Sequence, residues 1–512
     1  MQGFTVIDLI ILVVYLAAVL VAGLFFAKKE MKGKEYFKGD GTIPWWVTSV
    51  SIFATLLSPI SFLSLAGNSY AGTWLMWFAQ LGMLIAIPLT IRFFLPVYAK
   101  LNIDTAYHYL ELRFGSKALR VLGAFMFIVY QVGRMSIIMY LPCMVLGALT
   151  HINVNLLIII MGVIAIIYSY SGGLKSVLWT DFIQGSVLII GVTLGCIYLL
   201  SSIDGGIGAV FNSFWTEHKF LAPDQPLFDA NLLRDSVFLM IFGAGLNTMG
   251  SYVSSQDIVQ RFTTTTDTKK LNKMMRTNGL LSIFMATIFY LIGTGLYVFY
   301  QQHPLPPAAA QDQIFASWIA FELPVGVTGL LLAAIYAAAQ STLSTGLNSV
   351  ASSWTLDIQS RISKKELSFA QQTKIGQYVS LIVGIFSVVV AIFLANGSVT
   401  SAYEWFNGFM GLVLGILVGI FVLGVFFKRA NTFGAFMGFA ASSIVMILVK
   451  YQFTDVSIWS YSLISIAVSI AVGLLCSWLY EKITGKYVEP AQYTTFADFK
   501  KKNEEINAKE AV

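Results

Sequence analysis

Charge is scarce in this chain: 11% of its 512 residues are Asp, Glu, Lys or Arg, against 57% hydrophobic, and the mean hydropathy is +0.75. Soluble domains carry about a quarter charged residues, so a water-soluble enzyme or binding module is excluded. Cysteine is rarer still. Cys143, Cys196 and Cys476 all fall in apolar stretches, an odd number without metal-ligand spacing, which excludes a disulfide framework and a zinc site and leaves them as packing residues. The four histidines, His108, His151, His218 and His303, lie in loops or at the ends of apolar runs, so no intramembrane cluster offers a metal site or a proton relay. GxxxxGKS/T and HExxH are absent, which removes the phosphate-loop and zinc-protease chemistries.

Long apolar runs dominate instead. Stretches of about 20 residues, the length that crosses a bilayer, separate the charge clusters. Thirteen candidate spans lie near 5–26, 46–70, 74–98, 119–148, 153–170, 176–203, 231–253, 274–300, 325–354, 376–395, 405–427, 431–449 and 457–481. Basic residues gather in alternate loops, at 28–38, 100–120, Lys175, 261–276, 361–374, 428–429 and after 481, and these loops are therefore expected in the cytoplasm. The amino terminus is then outside and the carboxyl terminus cytoplasmic. The net charge of +6 follows this topology and implies no nucleic-acid partner. The first span lacks a basic region before its apolar stretch, so it reads as a retained helix of a multi-pass cell-membrane protein.

The polar residues inside the spans point to a site. The run AAAQSTLSTGLNS, from Ala337 to Ser349, sets Ala338, Ser341, Thr342 and Thr345 on one helical face. Hydroxyls there either bond back to their own helix or present hard oxygen ligands to a cation. Ser58 and Pro59 interrupt the second span, and Gly243, Gly245 and Gly250 surround Asn247 in the seventh. Discontinuous helices at equivalent places in two repeats are how many transporters build a binding site, and both spans are expected to break there. Asp181, Ala54 and Thr345 fall roughly 9, 12 and 15 Å above the cytoplasmic ends of their spans at 1.5 Å per residue, a common level for a carboxylate, freed carbonyls and hydroxyls. Arg134, mid-span and beyond reach of either surface, either anchors an anionic solute or pairs internally with a backbone carbonyl or an acid such as Asp181. Gln80 is helix glue or a ligand. Gly411, Gly415 and Gly419 repeat the GxxxG spacing of close helix packing.

With YSYSGGLKSVLWTDFIQG (168–185), SSQDIVQRF (254–262), AAAQSTLSTGLNS (337–349) and FATLLSPISF (53–62) in this order, the chain resembles the sodium:solute symporters over nearly its whole length. That resemblance implies an all-α polytopic membrane protein with the LeuT-like fold. A first helix and loop (1–45) precede a five-helix repeat (46–203), an extracellular loop (204–230), an inverted second repeat (231–427), two further helices (428–481) and a cytoplasmic tail (482–512). It implies a sodium site from the carbonyls of Ala54, Leu57 and Ala338 and the hydroxyls of Ser341 and Thr342. It also implies a second sodium site from Asp181, Ser341, Ser344 and Thr345. Ser58, Ser61, Gln80, Arg134 and Asn247 are the expected substrate contacts, with the bacterial sialic acid transporters the most similar branch. Leu56, Pro59 and Met76 depart from that branch, where threonine, serine and an aromatic ring are expected. The expected function is sodium-coupled import of a carboxylated sugar, sialic acid first, by alternating access, and no enzymatic activity. Another organic anion, vitamin, amino acid or sugar is the alternative solute, and a sodium-regulated channel or sensor the alternative class. The oligomeric state is open.

Overall fold

A computed structural model describes residues 5–27, 34–39, 41–150, 152–229, 231, 234–305, 314–363, 366–397 and 402–499. His151 and the tail beyond Phe499 lie outside the described residues. Helices make up nearly all of them: α1 Val6–Ala27, α2 Trp45–Leu56, α3 Pro59–Ala71, α4 Trp74–Leu101, α5 Ala106–Phe114, α6 Lys117–Thr150 and α7 Val154–Ser201. After α8 Gly206–Thr216 come α9 Val237–Ser254, α10 Gln256–Phe262, α11 Thr268–Gln302, α12 Ile314–Phe321 and α13 Val327–Ser353. The chain closes with α14 Phe369–Ala395, α15 Ala402–Phe426, α16 Thr432–Gln452 and α17 Tyr461–Thr484. No strand occurs among the described residues.

Among the described residues ten helices are long and apolar enough to cross a membrane, and α2 with α3, bent by 64°, makes an eleventh if the pair is one span. Two shorter apolar helices, Val154–Ile167 and Val413–Phe426, lie where the other expected spans fall. The expected loop between spans five and six is compressed into the backbone of α7 at Gly173 (φ 54°, ψ −159°). Only glycine adopts that conformation without strain, and a Cβ there would stand 2.6 Å from the Tyr36 carbonyl.

The two expected breaks have different outcomes. In the first repeat the helix stops at Leu56, Leu57 and Ser58 are extended, and Pro59 opens α3 as its first residue. Proline has no N–H to give to the carbonyl four residues back, Thr55, which is thereby left for side chains. In the second repeat the glycines do not break the helix. α9 runs unbroken from Val237 to Ser254, and the chain turns extended only at Ser255, eight residues beyond Asn247. The glycines serve packing instead. A Cβ on Gly243 would meet the Trp459 carbonyl at 2.1 Å and one on Gly250 the Val418 side chain at 2.4 Å, while Gly245 lies against Gly82 of α4. Gly419 of the GxxxG run likewise lets α15 approach Ser469 of α17.

α13 is buried along its whole length, flanked by α6, α7 and α1, with α2 across its hydroxyl face. Just beyond its carboxyl end Asp357 holds Arg120 at 2.6 Å, and Arg120 reaches Glu111 at 2.7 Å, tying the end of α13 to α5 and α6. Part of the tail packs back onto the helices. Thr494 and Thr495 are buried, the Thr494 carbonyl accepts from Tyr109, Asp498 pairs with Lys428 at 2.6 Å, and Phe496 packs on Phe93 and Phe426. Apolar Phe496 supplies the reason: it gains more from covering helix ends than from solvation.

Candidate functional site

The last carbonyls of α2 are orphaned because the helix stops, and a helix end buried in apolar surroundings must find other donors. α13 supplies them. Ser341 Oγ donates to the Ala54 carbonyl at 3.0 Å and to Ala338 at 3.2 Å, and Thr342 Oγ1 to Ala338 at 3.0 Å and to Thr55 at 3.4 Å. Ala54, Ala338, Ser341 and Thr342 are thus one cluster of oxygens, all buried. Leu57, the extended residue after α2, is buried beside them. Oxygens are all it offers, which suits a hard cation without fixed geometric demand and excludes a thiolate-seeking metal.

One turn farther along α13, Asp181 accepts from Thr345 Oγ1 at 3.1 Å, Ser344 Oγ at 3.3 Å and Ser51 Oγ at 2.6 Å. Ser341 meets this group through its carbonyl, which accepts from Ser344 Oγ at 3.1 Å, while its hydroxyl donates to the Ala54 carbonyl. The group also holds a cation of its own. Arg261, on α10, places Nη2 2.7 Å from Asp181 and 2.5 Å from Thr345 Oγ1, with Nε 2.9 Å from Ser51. The basic loop expected from residue 261 onward therefore begins only after α10 ends at Phe262, because the break at Ser255 turns α10 back into the protein.

Arg134 pairs with Asp257 of α10, Nη1 to Oδ2 at 2.7 Å, while Nη2 donates to the Thr55 carbonyl at 2.8 Å. The internal acid is Asp257 and not Asp181. Arg134 Nε has no partner among the described residues, nor has either amide atom of Gln131, one turn away and fully buried. Unpartnered polar atoms inside a membrane protein are costly, and Gln131 is a ligand candidate that no sequence signal singled out. Ser58 Oγ caps α3 through the Ser61 N–H and lies 3.3 Å from Ser61 Oγ, so both hydroxyls stand at the break. Gln80 is half-buried on α4. Asn247 falls outside this cluster: it is exposed and accepts from Ser462 of α17 at 3.2 Å, because the helix does not break beside it. Met76, in the place expected for a ring, receives the Asn68 amide at 3.2 Å.

Besides Gln131, the functional candidates missed from sequence are Asp257, Arg261, Ser51 and Thr55, and a signal existed for the first two. The signal was the Asp-x-x-x-Arg spacing in SSQDIVQRF, an i, i+4 acid–base pair in an otherwise apolar stretch. It reads as the start of a cytoplasmic loop unless the helix break is placed at Ser255.

Residues 36–441 match the family described as SSF, sodium:solute symporter family. The chain is 34% identical to the sodium/sialic acid symporter SiaT of Proteus mirabilis over 94% of its own length and 96% of the relative's. It is 32% identical to the sodium/sialic acid symporter NanT of Aliivibrio fischeri over 94% of each chain. A solved Na+-coupled sialic acid symporter, in a substrate-bound outward-open state with a novel Na+ site, superposes with a TM-score of 0.87. That match carries 33% identity and covers 95% of this chain and 99% of the other.

Proposed function

Because this chain belongs to the sodium:solute symporter family, we propose that it imports sialic acid, a monoanionic carboxylated sugar, coupled to sodium and by alternating access across the cell membrane. The amino terminus is outside and the carboxyl terminus in the cytoplasm. The observation that carries the reading is the joining of both demands at one helix break: Ser341 and Thr342 reach the carbonyls at the end of α2, and Arg134 reaches the carbonyl of Thr55 beside them.

Sodium is cargo, and its common site is the Ala54, Leu57, Ala338, Ser341 and Thr342 oxygen set. A sodium ion there ties α2 to α13. It favours whichever state keeps the two together, by its differential affinity for that state. Separating α13 from α2 on inward opening removes the ligands and releases the ion. The solute's carboxylate takes the fork of Arg134, and Ser58, Ser61, Gln80 and the unpartnered Gln131 lie within the same central region as hydrogen-bonding groups. Asp181, Ser341, Ser344 and Thr345 form the second sodium set once Arg261 withdraws. One sodium per monoanion is electroneutral. Two move one net charge, worth about 2.3 kcal/mol at 100 mV.

Uptake of labelled N-acetylneuraminate into proteoliposomes, with and without an inward sodium gradient, tests the reading, with proline, glucose, pantothenate and lactate as competitors. Uphill, sodium-dependent uptake blocked only by unlabelled sialic acid supports it. Sodium binding without sialic acid uptake keeps the family and refutes the solute, and unitary currents without accumulation refute symport.

A further inference from the structure

We propose that Arg134, Asp257, Arg261 and Asp181 form an ion-pair exchange relay, through which a carboxylate arriving at Arg134 opens the second sodium site at Asp181. The proposal rests on the sodium-coupled carboxylate reading above and adds the device that couples the two ligands.

Four buried charges stand as two pairs in series, Arg134 with Asp257 at 2.7 Å and Arg261 with Asp181 at 2.7 Å, each side chain no more than 6% exposed. Both pairs meet on α10. Asp257 and Arg261 are four residues apart on that helix, acid first, the spacing and order at which two side chains face one another one turn apart. They are already in contact, since Arg261 Nη1 donates to the backbone carbonyl of Asp257. A change of rotamer within one turn therefore carries Arg261 from the Asp181 carboxylate to that of Asp257.

As the structure stands, Arg261 blocks the second sodium site. Its Nη2 holds Asp181 Oδ2 and Thr345 Oγ1, two of the oxygens that sodium needs, and a guanidinium and a metal ion cannot share them. A solute carboxylate that takes Arg134 bidentately removes the partner of Asp257. An unpaired carboxylate at this depth is strongly unfavourable, and the nearest cation able to reach it is Arg261. When Arg261 moves, Asp181 in turn loses its partner and accepts sodium, with Ser344 and Thr345 already in place around it.

The charges balance at each end. Two cations and two anions are paired before binding. Afterwards Arg134 holds the solute, Arg261 holds Asp257 and sodium holds Asp181, so three cations and three anions are paired. A solute of one negative charge thus brings in one sodium beyond the common one. Linkage makes the effect reciprocal: sodium at Asp181 favours Arg261 on Asp257 and so leaves Arg134 free for the carboxylate.

Equilibrium binding of radioactive sodium to the purified full-length protein tests the relay, with and without saturating N-acetylneuraminate or its uncharged methyl ester. The wild type is expected to bind about one sodium per chain alone or with the ester and about two with the acid. The variants move in opposite directions. Asp257→Asn leaves Arg261 no alternative acceptor and holds the count at one with the acid present. Arg261→Gln frees Asp181 and gives two without any solute. A structural role alone would not produce opposite signs. An unchanged wild-type sodium count on adding bound acid overturns the relay, as does a shift of both variants in the same direction. The wild-type comparison stands by itself if either variant fails to fold. Absence of N-acetylneuraminate binding to the sodium-loaded wild type refutes the solute assignment instead, and the solute-free count for Arg261→Gln then decides whether that arginine blocks the site.

Discussion

Replacing Arg134 separates its two roles, as structural partner and as solute anchor. Arg134→Met keeps most of the side-chain volume but leaves two buried acids, Asp257 and Asp181, to share the one arginine Arg261, so that without sodium one carboxylate stands unpaired. Removing one partner of a buried pair costs about 3–5 kcal/mol, far more than the pair is worth against neutral groups. The double variant Arg134→Met, Asp257→Asn removes both charges and is expected to recover stability to within about 1 kcal/mol of wild type. Solute binding should not recover with it. Two charge-assisted bonds from the guanidinium to a carboxylate, at about 1.5 kcal/mol or more each, predict at least a hundredfold loss of N-acetylneuraminate affinity in both variants. Thermal unfolding in sodium-free detergent, beside calorimetric binding at saturating sodium, measures the two effects on the same preparations. A stable double variant that binds N-acetylneuraminate as the wild type does would refute the anchor and leave Arg134 as half of an internal pair. An Arg134→Met variant as stable as wild type would refute the burial argument itself.

Ser341→Ala with Thr342→Ala removes two hydroxyl ligands and leaves the helix intact, so sodium-dependent uptake should fall to background while the protein still purifies folded; preserved sodium dependence would sink the common site. Gly173→Ala forces a Cβ into left-handed backbone and against the Tyr36 carbonyl, and a loss of roughly 1–3 kcal/mol should appear as a lower melting temperature, with no change expected if that backbone relaxes freely. On the short helix α5, outside the membrane spans, burial and then the nearby Arg120 charge depress His108 from the usual 6.5 to about 4, and its Nδ1 accepts the Asp104 N–H as a neutral ring must. The unfolded chain then binds the extra proton first, so stability is fully present above about pH 6.5 and declines as pH falls toward 4. His108→Gln should flatten that decline in a thermal-shift series from pH 7.5 to 4.5, and an unaltered slope would assign it to other groups.

Much of this protein was decided by local composition. Apolar length and the placement of Lys and Arg set the number of spans, because a bilayer core accepts little else over some 20 residues. Pro59 set the first break by itself, since a missing N–H is a local fact with a fixed partner, the Thr55 carbonyl. The hydroxyls of 341–345 were legible for a similar reason: their helical spacing puts them on one face whatever lies opposite. The second break was not legible. Gly243, Gly245 and Gly250 carry the same letters whether they bend a helix or admit a neighbour, and only the presence of Trp459, Gly82 and Val418 against them chose packing. That choice moved the break to Ser255, carried Asp257 and Arg261 into the core, and turned Asn247 outward. Ion-pair partners were the least accessible of all. Arg134 announced that some acid or carbonyl had to meet it, because a buried charge cannot stand alone, but Asp257 lies 123 residues away and Thr55 79, and only the fold brings them together.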